Sequence, residues 1–91
     1  MTIKIRIPTP LRRFTAEKDS VEVTAPRVRE ALDALEAAHP GIRARLCDET
    51  GALRRFVNVY YKDEDIRFLE GLDTPIDDGT ELSIVPAIAG G

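Results

Sequence analysis

The 91-residue sequence contains one cysteine, one histidine and no tryptophan. The lone Cys47 excludes an internal disulfide framework and a zinc site of the CxxC type. The lone His39 excludes a histidine-cluster metal centre and leaves no Ser/His/Asp set that could orient a nucleophile. The phosphate-binding patterns GxxxxGK(S/T) and GxGxxG are also missing. We therefore expect no bound cofactor, no metal site and no enzyme activity of the chain's own.

Positive charge and long apolar runs are scarce as well. There are 13 lysines and arginines against 16 aspartates and glutamates, so the formal net charge is −3 and the chain lacks the basic character of nucleic-acid binders. The longest apolar stretch, residues 84–89, is far shorter than the ~20 residues of a membrane helix. Residues 1–7 alternate polar and apolar side chains and have no apolar core of a signal peptide. We expect a cytoplasmic protein with neither nucleic-acid nor membrane partners.

Alternating segments predict an antiparallel hairpin at the start of the chain. Residues 2–7 place three isoleucines on one face, and residues 20–24 alternate again after a charged loop. Residues 55–61 are rich in β-branched and aromatic side chains and predict a central strand. Residues 80–85 predict a last strand after a turn rich in Asp and Gly. Between these two strands, residues 66–68 are expected to pair back briefly.

The apolar period changes to that of a helix after the hairpin. One apolar stripe is formed by Val28, Ala31, Leu32, Leu35 and Ala38. Pro26 is expected in the first helical turn, where its missing N–H has no partner, with Thr24 or Ala25 as the cap. Pro40 disfavours helical geometry at the residue before it, and Gly41 can adopt the left-handed turn. We expect the helix to end there.

The order strand, strand, helix, strand, short strand, strand predicts an α+β fold. In this fold one main helix packs across one face of a mixed β-sheet, with the first and last strands side by side at its centre. Residues 42–46 are expected to add a short helical turn, and residues 47–53, starting with Cys47, an exposed loop. Pro86 closes the last strand and small residues follow it. We therefore place one folded domain at residues 1–86 and a flexible tail at residues 87–91.

The tail ends in Gly90 and Gly91, which suit a narrow groove. Glycine has no Cβ, so these residues present an unhindered carbonyl to attack. Five extended residues reach about 17 Å beyond the domain, at ~3.4 Å each. An α-carboxyl group with a pKa near ~3.5 is ionised at neutral pH and is a poor electrophile, so it needs activation as an acyl adenylate. Because the sequence has no nucleotide-binding motif, ATP and the catalytic groups must come from a partner.

The order of elements resembles the ubiquitin-like β-grasp fold, and residues 84–91 resemble the C-terminus of the MoaD/ThiS sulfur carriers. The resemblance is dense over residues 55–91 and favours the carriers of this family that serve cysteine biosynthesis. It implies that a ubiquitin-activating-type (MoeB/ThiF-like) enzyme uses ATP to adenylate Gly91, which a sulfur donor converts to a thiocarboxylate. It also implies a cysteine synthase-like enzyme as sulfur acceptor. The preceding tail residues are Gly90, Ala89 and Ile88.

A partner-binding face follows from the pleat of the predicted sheet. If the valines of residues 55–61 point to the helix, then Phe56 and Tyr60 point away from it. Val85 on the neighbouring last strand also faces outward, and Pro86 follows it. Because exposed aromatics beside an apolar strand are typical of docking sites, we predict that these four residues bind the partner. A register shifted by one residue would exchange the two faces.

Three alternative functions stay open from the sequence. A small molybdopterin synthase subunit would have the same tail and would supply sulfur for molybdenum cofactor synthesis. A ubiquitin-like modifier would use the same activated Gly91 to form isopeptide bonds with lysines. A pure interaction module would use the folded body alone, with terminal glycines that have no role.

Overall fold

Five strands and two α-helices form the described part of the chain, residues 2–55 and 57–86 of a computed structural model. The strands are β1 (Thr2–Arg6), β2 (Ser20–Thr24), β3 (Val57–Tyr61), β4 (Glu64–Asp65) and β5 (Glu81–Pro86). The helices are α1 (Val28–Ala38) and α2 (Arg43–Leu46). Short 3-10 helices occupy Thr9–Phe14, Ile66–Phe68 and Gly71–Asp73. No helix within the described ranges has the length and apolar character needed to cross a membrane.

The strands form one mixed sheet in the order β2-β1-β5-β3-β4. β1 and β2 form the predicted antiparallel hairpin, and β1 lies parallel to β5 at the centre, as expected. β3 pairs antiparallel with both β5 and β4. The parallel pairing brings the C-terminal ends of β1 and β5 to the same end of the sheet.

The core lies between α1 and one face of the sheet. The alternation in β1 buries Ile3 and Ile5, whereas Lys4 and Arg6 are exposed. Leu32 and Leu35 of α1 pack against this face together with Leu82 and Ile84 of β5, all at most 3% exposed. The predicted inward faces of the strands are therefore confirmed.

The start of α1 differs from the prediction. The helix begins at Val28, and Arg27 precedes it in extended geometry without a side-chain cap. The reason is tertiary: the Val28 amide donates to the Thr74 carbonyl over 3.1 Å, and Arg27 forms an isolated β-bridge with Pro75. The loop that contains Thr74 thus accepts the hydrogen bond of a helical amide that a capping side chain would otherwise accept. The predicted first-turn position of Pro26 is wrong, as is the predicted cap at Thr24 or Ala25.

Two further differences concern the ends of predicted elements. The buried apolar stripe of α1 ends at Leu35, because Ala38 is exposed. The short strand is formed by Glu64–Asp65 and not by residues 66–68, which form a 3-10 helix. Lys62 and Asp63 both have positive φ and turn the chain at once, so that Glu64 already pairs with Tyr61.

The segment starting at Cys47 is not the fully exposed loop that was predicted. Cys47 is a free cysteine only 3% exposed, and it forms an isolated β-bridge with Leu53. Its amide donates to the Arg43 carbonyl over 2.8 Å, which continues the turn of α2 and points the side chain to the core. The predicted short turn of α2 is confirmed, with Ile42 and Leu46 fully buried.

Candidate functional site

The predicted reactive end of the chain lies beyond β5. Pro86 is the last described residue, and it pairs with Val57 at the start of β3. The tail residues Ile88, Ala89, Gly90 and Gly91, and also Phe56 of the partner face, lie outside the described residues. Their predicted roles stay predictions. The described structure specifies the place from which the chain continues toward Gly91.

The sheet face opposite α1 carries the rest of the predicted partner face. Val85 is 42% exposed and pairs with Asn58, while Tyr60 is half-buried and pairs with Ser83. Val85 and Tyr60 are therefore diagonal neighbours on adjacent strands, within reach of one another's side chains. Val59, between Asn58 and Tyr60, is fully buried on the helix side. The predicted register of β3 is correct, and Val85 and Tyr60 both lie on the face of the sheet opposite α1.

Pro86 has a different orientation from the rest of the predicted face. It pairs with Val57, whose side chain points into the core and is 7% exposed. Since directly paired residues share a face of the sheet, Pro86 lies on the helix side, where it is half-buried. It therefore forms the rim at the end of β5, beside the outward face formed by Val85 and Tyr60.

Arg67 organises this region, and no sequence pattern assigned it that role. Its guanidinium donates to the Asn58 side-chain oxygen over 2.7 Å and to the carbonyls of Arg54 and Val57 over 2.9 and 2.8 Å. Its backbone amide donates to Asp65 Oδ1 over 2.9 Å. The acceptors lie at the start of β3, on both sides of residue 56. Two of the three groups that accept hydrogen bonds from the Arg67 side chain are backbone carbonyls. Because every residue has a carbonyl, the sequence pattern does not predict these contacts.

Two exposed apolar side chains follow β4. Phe68 is 82% exposed and Leu69 is 37% exposed. They end the 3-10 helix that contains Arg67, and this helix contacts β3. Together with Val85 they are the large apolar side chains that the described residues leave to solvent. They add apolar surface near the edge of the sheet formed by β3 and β4.

Hydrogen bonds of Asp77 join the acidic turn before β5 to the end of β3 and to Lys62. Asp77 Oδ2 accepts hydrogen bonds from the Lys62 ammonium and the Tyr61 hydroxyl over 3.2 and 3.3 Å, and the Asp77 amide donates to that hydroxyl over 2.9 Å. The hydrogen bond with Asp77 is the main cause that raises the pKa of Lys62 above its ordinary value. Across residues 2–55 and 57–86, no three His, Cys, Asp or Glu side chains are grouped to hold a metal ion.

The sequence matches the ThiS family over residues 5–91. It is 44% identical over 93 residues to the sulfur carrier protein CysO of Mycobacterium tuberculosis, with 100% of each chain covered. It is also 36% identical over 64 residues to small archaeal modifier protein 3 of Haloferax volcanii, covering 70% of this chain and 68% of that protein.

The structure is similar to a chain in the crystal structure of the Amycolatopsis orientalis BexX/CysO complex. The TM-score is 0.92 and the identity 47%, over 98% of this chain and 99% of that chain. The mixed sheet with one main helix is therefore the ubiquitin-like β-grasp, which confirms the predicted fold.

Proposed function

This chain belongs to the ThiS family and is a homologue of the CysO sulfur carriers, and we propose that it carries sulfur as a thiocarboxylate on Gly91. The chain is a protein cosubstrate, and partner enzymes catalyse both the activation and the transfer. The single observation that carries the proposal is the match over the full length of a sulfur carrier protein, which includes the diglycine end.

The proposed activation occurs in two steps, adenylation of the carboxylate and attack by sulfide. One carboxylate oxygen of Gly91 attacks the α-phosphorus of ATP, which forms the acyl adenylate and releases pyrophosphate. A sulfide nucleophile then attacks the carbonyl carbon, and AMP leaves with the oxygen. The adenylating enzyme, of the MoeB/ThiF type, supplies the ATP site and the catalytic groups. Gly90 and Gly91 contribute the absence of side chains, which allows close approach to the carbonyl.

The outward face supports docking to such partners. Val85 lies one residue before the end of β5, from which the chain continues toward Gly91, and Tyr60 lies on the adjacent strand, paired with Ser83. An exposed apolar side chain beside a half-buried aromatic is a favourable centre for an interface. We propose that the adenylating enzyme and the sulfur acceptor use this face in turn. The relatedness to CysO favours a cysteine synthase-like acceptor.

The test is conversion of the chain by an adenylating enzyme in the presence of ATP and a sulfide source. Intact mass spectrometry should show replacement of one oxygen by sulfur, and fragmentation should locate it at Gly91. A chain that lacks Gly91 is the matched control and should stay unmodified. Absence of the mass shift, with an enzyme shown to activate a related carrier under the same conditions, would contradict the proposal.

Conjugation to lysines is a second candidate function, favoured by the relatedness to small archaeal modifier protein 3. The same acyl adenylate would then be attacked by a lysine amine with release of AMP. Conjugates of higher mass that survive reducing agent and require Gly91 would support this role. Transfer of sulfur to a molybdopterin synthase large subunit, in place of a cysteine synthase-like enzyme, would support the molybdenum cofactor pathway.

A further inference from the structure

An uncompensated group of arginines lies at the end of the sheet from which the chain continues to the tail. β1 is parallel to β5, so the chain after β1 starts at the same end as the chain after Pro86, and β3 begins there too. We call this end, with the 3-10 helix Thr9–Phe14 and helix α2, the exit end. The Arg54 amide donates to the Leu46 carbonyl over 2.9 Å, which joins α2 to the segment before β3.

The group is built around one aromatic ring. The guanidinium carbons of Arg13 and Arg45 lie 5.0 and 5.2 Å from the centroid of the Phe14 ring. Both are within the range of cation–π attraction. The Arg54 Nε donates to the Ala44 carbonyl over 3.0 Å, which places a third guanidinium beside α2. Arg13, Phe14 and Arg45 are called the arginine clamp below.

The arginines of the clamp belong to the basic side chains that form no ion pair among the described residues. Neither Arg13 nor Arg45 forms an ion pair there, whereas Arg6, Arg27, Arg29, Arg43, Lys62 and Arg67 each pair with a carboxylate. Both clamp arginines are exposed, in a chain whose formal net charge is −3. Like charges at close range repel, and one ring shared by two cations does not remove that repulsion.

Three carboxylates of α1 and of the segment that follows α2 already bind other groups. Glu36 accepts hydrogen bonds from the amides of Gly41 and Arg43, and Asp33 pairs with the Arg43 guanidinium. Asp48 accepts from the hydroxyl and amide of Thr50, which lower its pKa. Because both clamp arginines are exposed and form no ion pair among the described residues, a negatively charged surface on another molecule would complement them.

We propose that the arginine clamp docks against a carboxylate-rich protein surface on the enzyme that receives the tail, an inference that rests on the proposed function. The tail provides the geometric reason, because five extended residues span at most about 17 Å. An active site that holds Gly91 must therefore lie close to the exit end, which also carries the clamp. A protein partner is favoured over nucleic acid, because the overall charge of the chain is negative.

The test compares two double variants that remove the same charge at opposite ends of the molecule. Arg13→Gln/Arg45→Gln neutralises the clamp, and Arg27→Gln/Arg29→Gln neutralises two exposed arginines at the start of α1. Affinity is measured with the adenylating enzyme that activates the wild-type chain, at low and at physiological ionic strength. We expect the clamp variant to bind about tenfold more weakly at low salt, with a smaller difference at higher salt, because salt screens exposed charges. The control variant should bind as the wild type does.

A third variant, Arg13→Lys/Arg45→Lys, separates charge from folding because it keeps the positive charge and should retain most of the affinity. Equal binding by the wild type and the clamp variant at low salt would overturn the proposal. An equal loss in the control variant, or arginine-dependent binding of RNA by the wild type, would overturn it as well. Intact mass is recorded in the same samples to detect the thiocarboxylate. Binding of the wild-type chain without thiocarboxylate formation would refute the proposed function. The affinities of the variants would still decide whether the clamp contributes to docking.

Discussion

At the scale of single residues, Arg67 connects the fold to the outward face. One planar guanidinium holds the side chain of Asn58 and two carbonyls at the start of β3. These bonds tie the entry of β3 to the segment after β4. Because Asn58 pairs with Val85, the position of Arg67 also affects the surface next to Val85.

We expect Arg67→Lys to lower the free energy of unfolding by about 1–3 kcal/mol, because a single ammonium cannot satisfy three acceptors in this arrangement. Urea unfolding followed by circular dichroism measures the loss. Arg29→Lys is the matched control, since among the described residues the Arg29 guanidinium donates to the exposed carboxylate of Asp73, and it should change stability by less than ~1 kcal/mol. Equal effects of the two variants would show that the bonds of Arg67 contribute no more than a surface ion pair.

Val85 tests the outward face at the same scale. Val85→Asp places a charge in the centre of the proposed interface and should slow thiocarboxylate formation about tenfold or more, equivalent to ~1.4 kcal/mol. Thr24→Asp adds the same charge in place of another exposed β-branched residue, at the far edge of the sheet in β2. It should leave the rate unchanged. Thermal unfolding of both variants checks that the fold persists, and equal rates for both would argue against this face.

At the scale of elements, the carboxylate of Glu36 links α1 to α2. It accepts hydrogen bonds from the amide of Gly41 over 3.0 Å and from the amide of Arg43 over 2.8 Å. Gly41 has φ +103°, which L side chains rarely adopt, so the link is made through a turn that requires glycine. The backbone hydrogen bond from Gly41 is the main cause that lowers the pKa of Glu36, followed by the one from Arg43.

The lowered pKa of Glu36 predicts a loss of stability in acid. Its contribution is fully present above the ordinary value of 4.5 and disappears as the pH falls through the lower pKa of the folded state. Glu36→Gln should therefore destabilise the protein near neutral pH and reduce the decrease in unfolding free energy between neutral and acidic pH. Urea unfolding over a pH series measures both effects. Glu22→Gln on the exposed side of β2 controls for the loss of one carboxylate, and the same pH profile for both variants would contradict the prediction.

At the scale of the whole molecule, the parallel pairing of β1 with β5 determines which segments surround the start of the tail. It gathers the chain after β1, the start of β3 and the end of β5 at one end of the sheet. The buried apolar core of the described residues extends from Ile3 to Ile84. Residues 87–91 lie outside the described residues, and we expect presentation of the tail and stability of the core to be separate properties of the chain.

This separation predicts that removal of residues 87–91 shifts the midpoint of thermal unfolding by less than about 4 °C, equivalent to under ~1 kcal/mol, while it abolishes thiocarboxylate formation. Removal of residues 84–91 is the control, because it also deletes Ile84, which is 3% exposed in the core. That variant should lose more than ~2 kcal/mol of stability. A large destabilisation by the shorter truncation would show that the tail packs on the domain.

The sequence by itself determined the faces of the strands, the buried stripe of α1 as far as Leu35, and the antiparallel hairpin. These features follow from the period of side-chain direction, which depends only on neighbouring residues. The diglycine end and the resemblance to sulfur carriers could also be recognised from the sequence, because both depend on consecutive residues.

Only the tertiary structure decided the start of α1 at Val28, the burial of Cys47, the three acceptors of Arg67 and the ring shared by Arg13 and Arg45. Val28 donates to a carbonyl 46 residues away at Thr74, and the Phe14 ring lies 5.2 Å from the guanidinium carbon of Arg45, which belongs to a different helix. Backbone carbonyls accept hydrogen bonds irrespective of residue type, so the sequence pattern does not show which carbonyls will be acceptors. Chain packing alone brings such partners together.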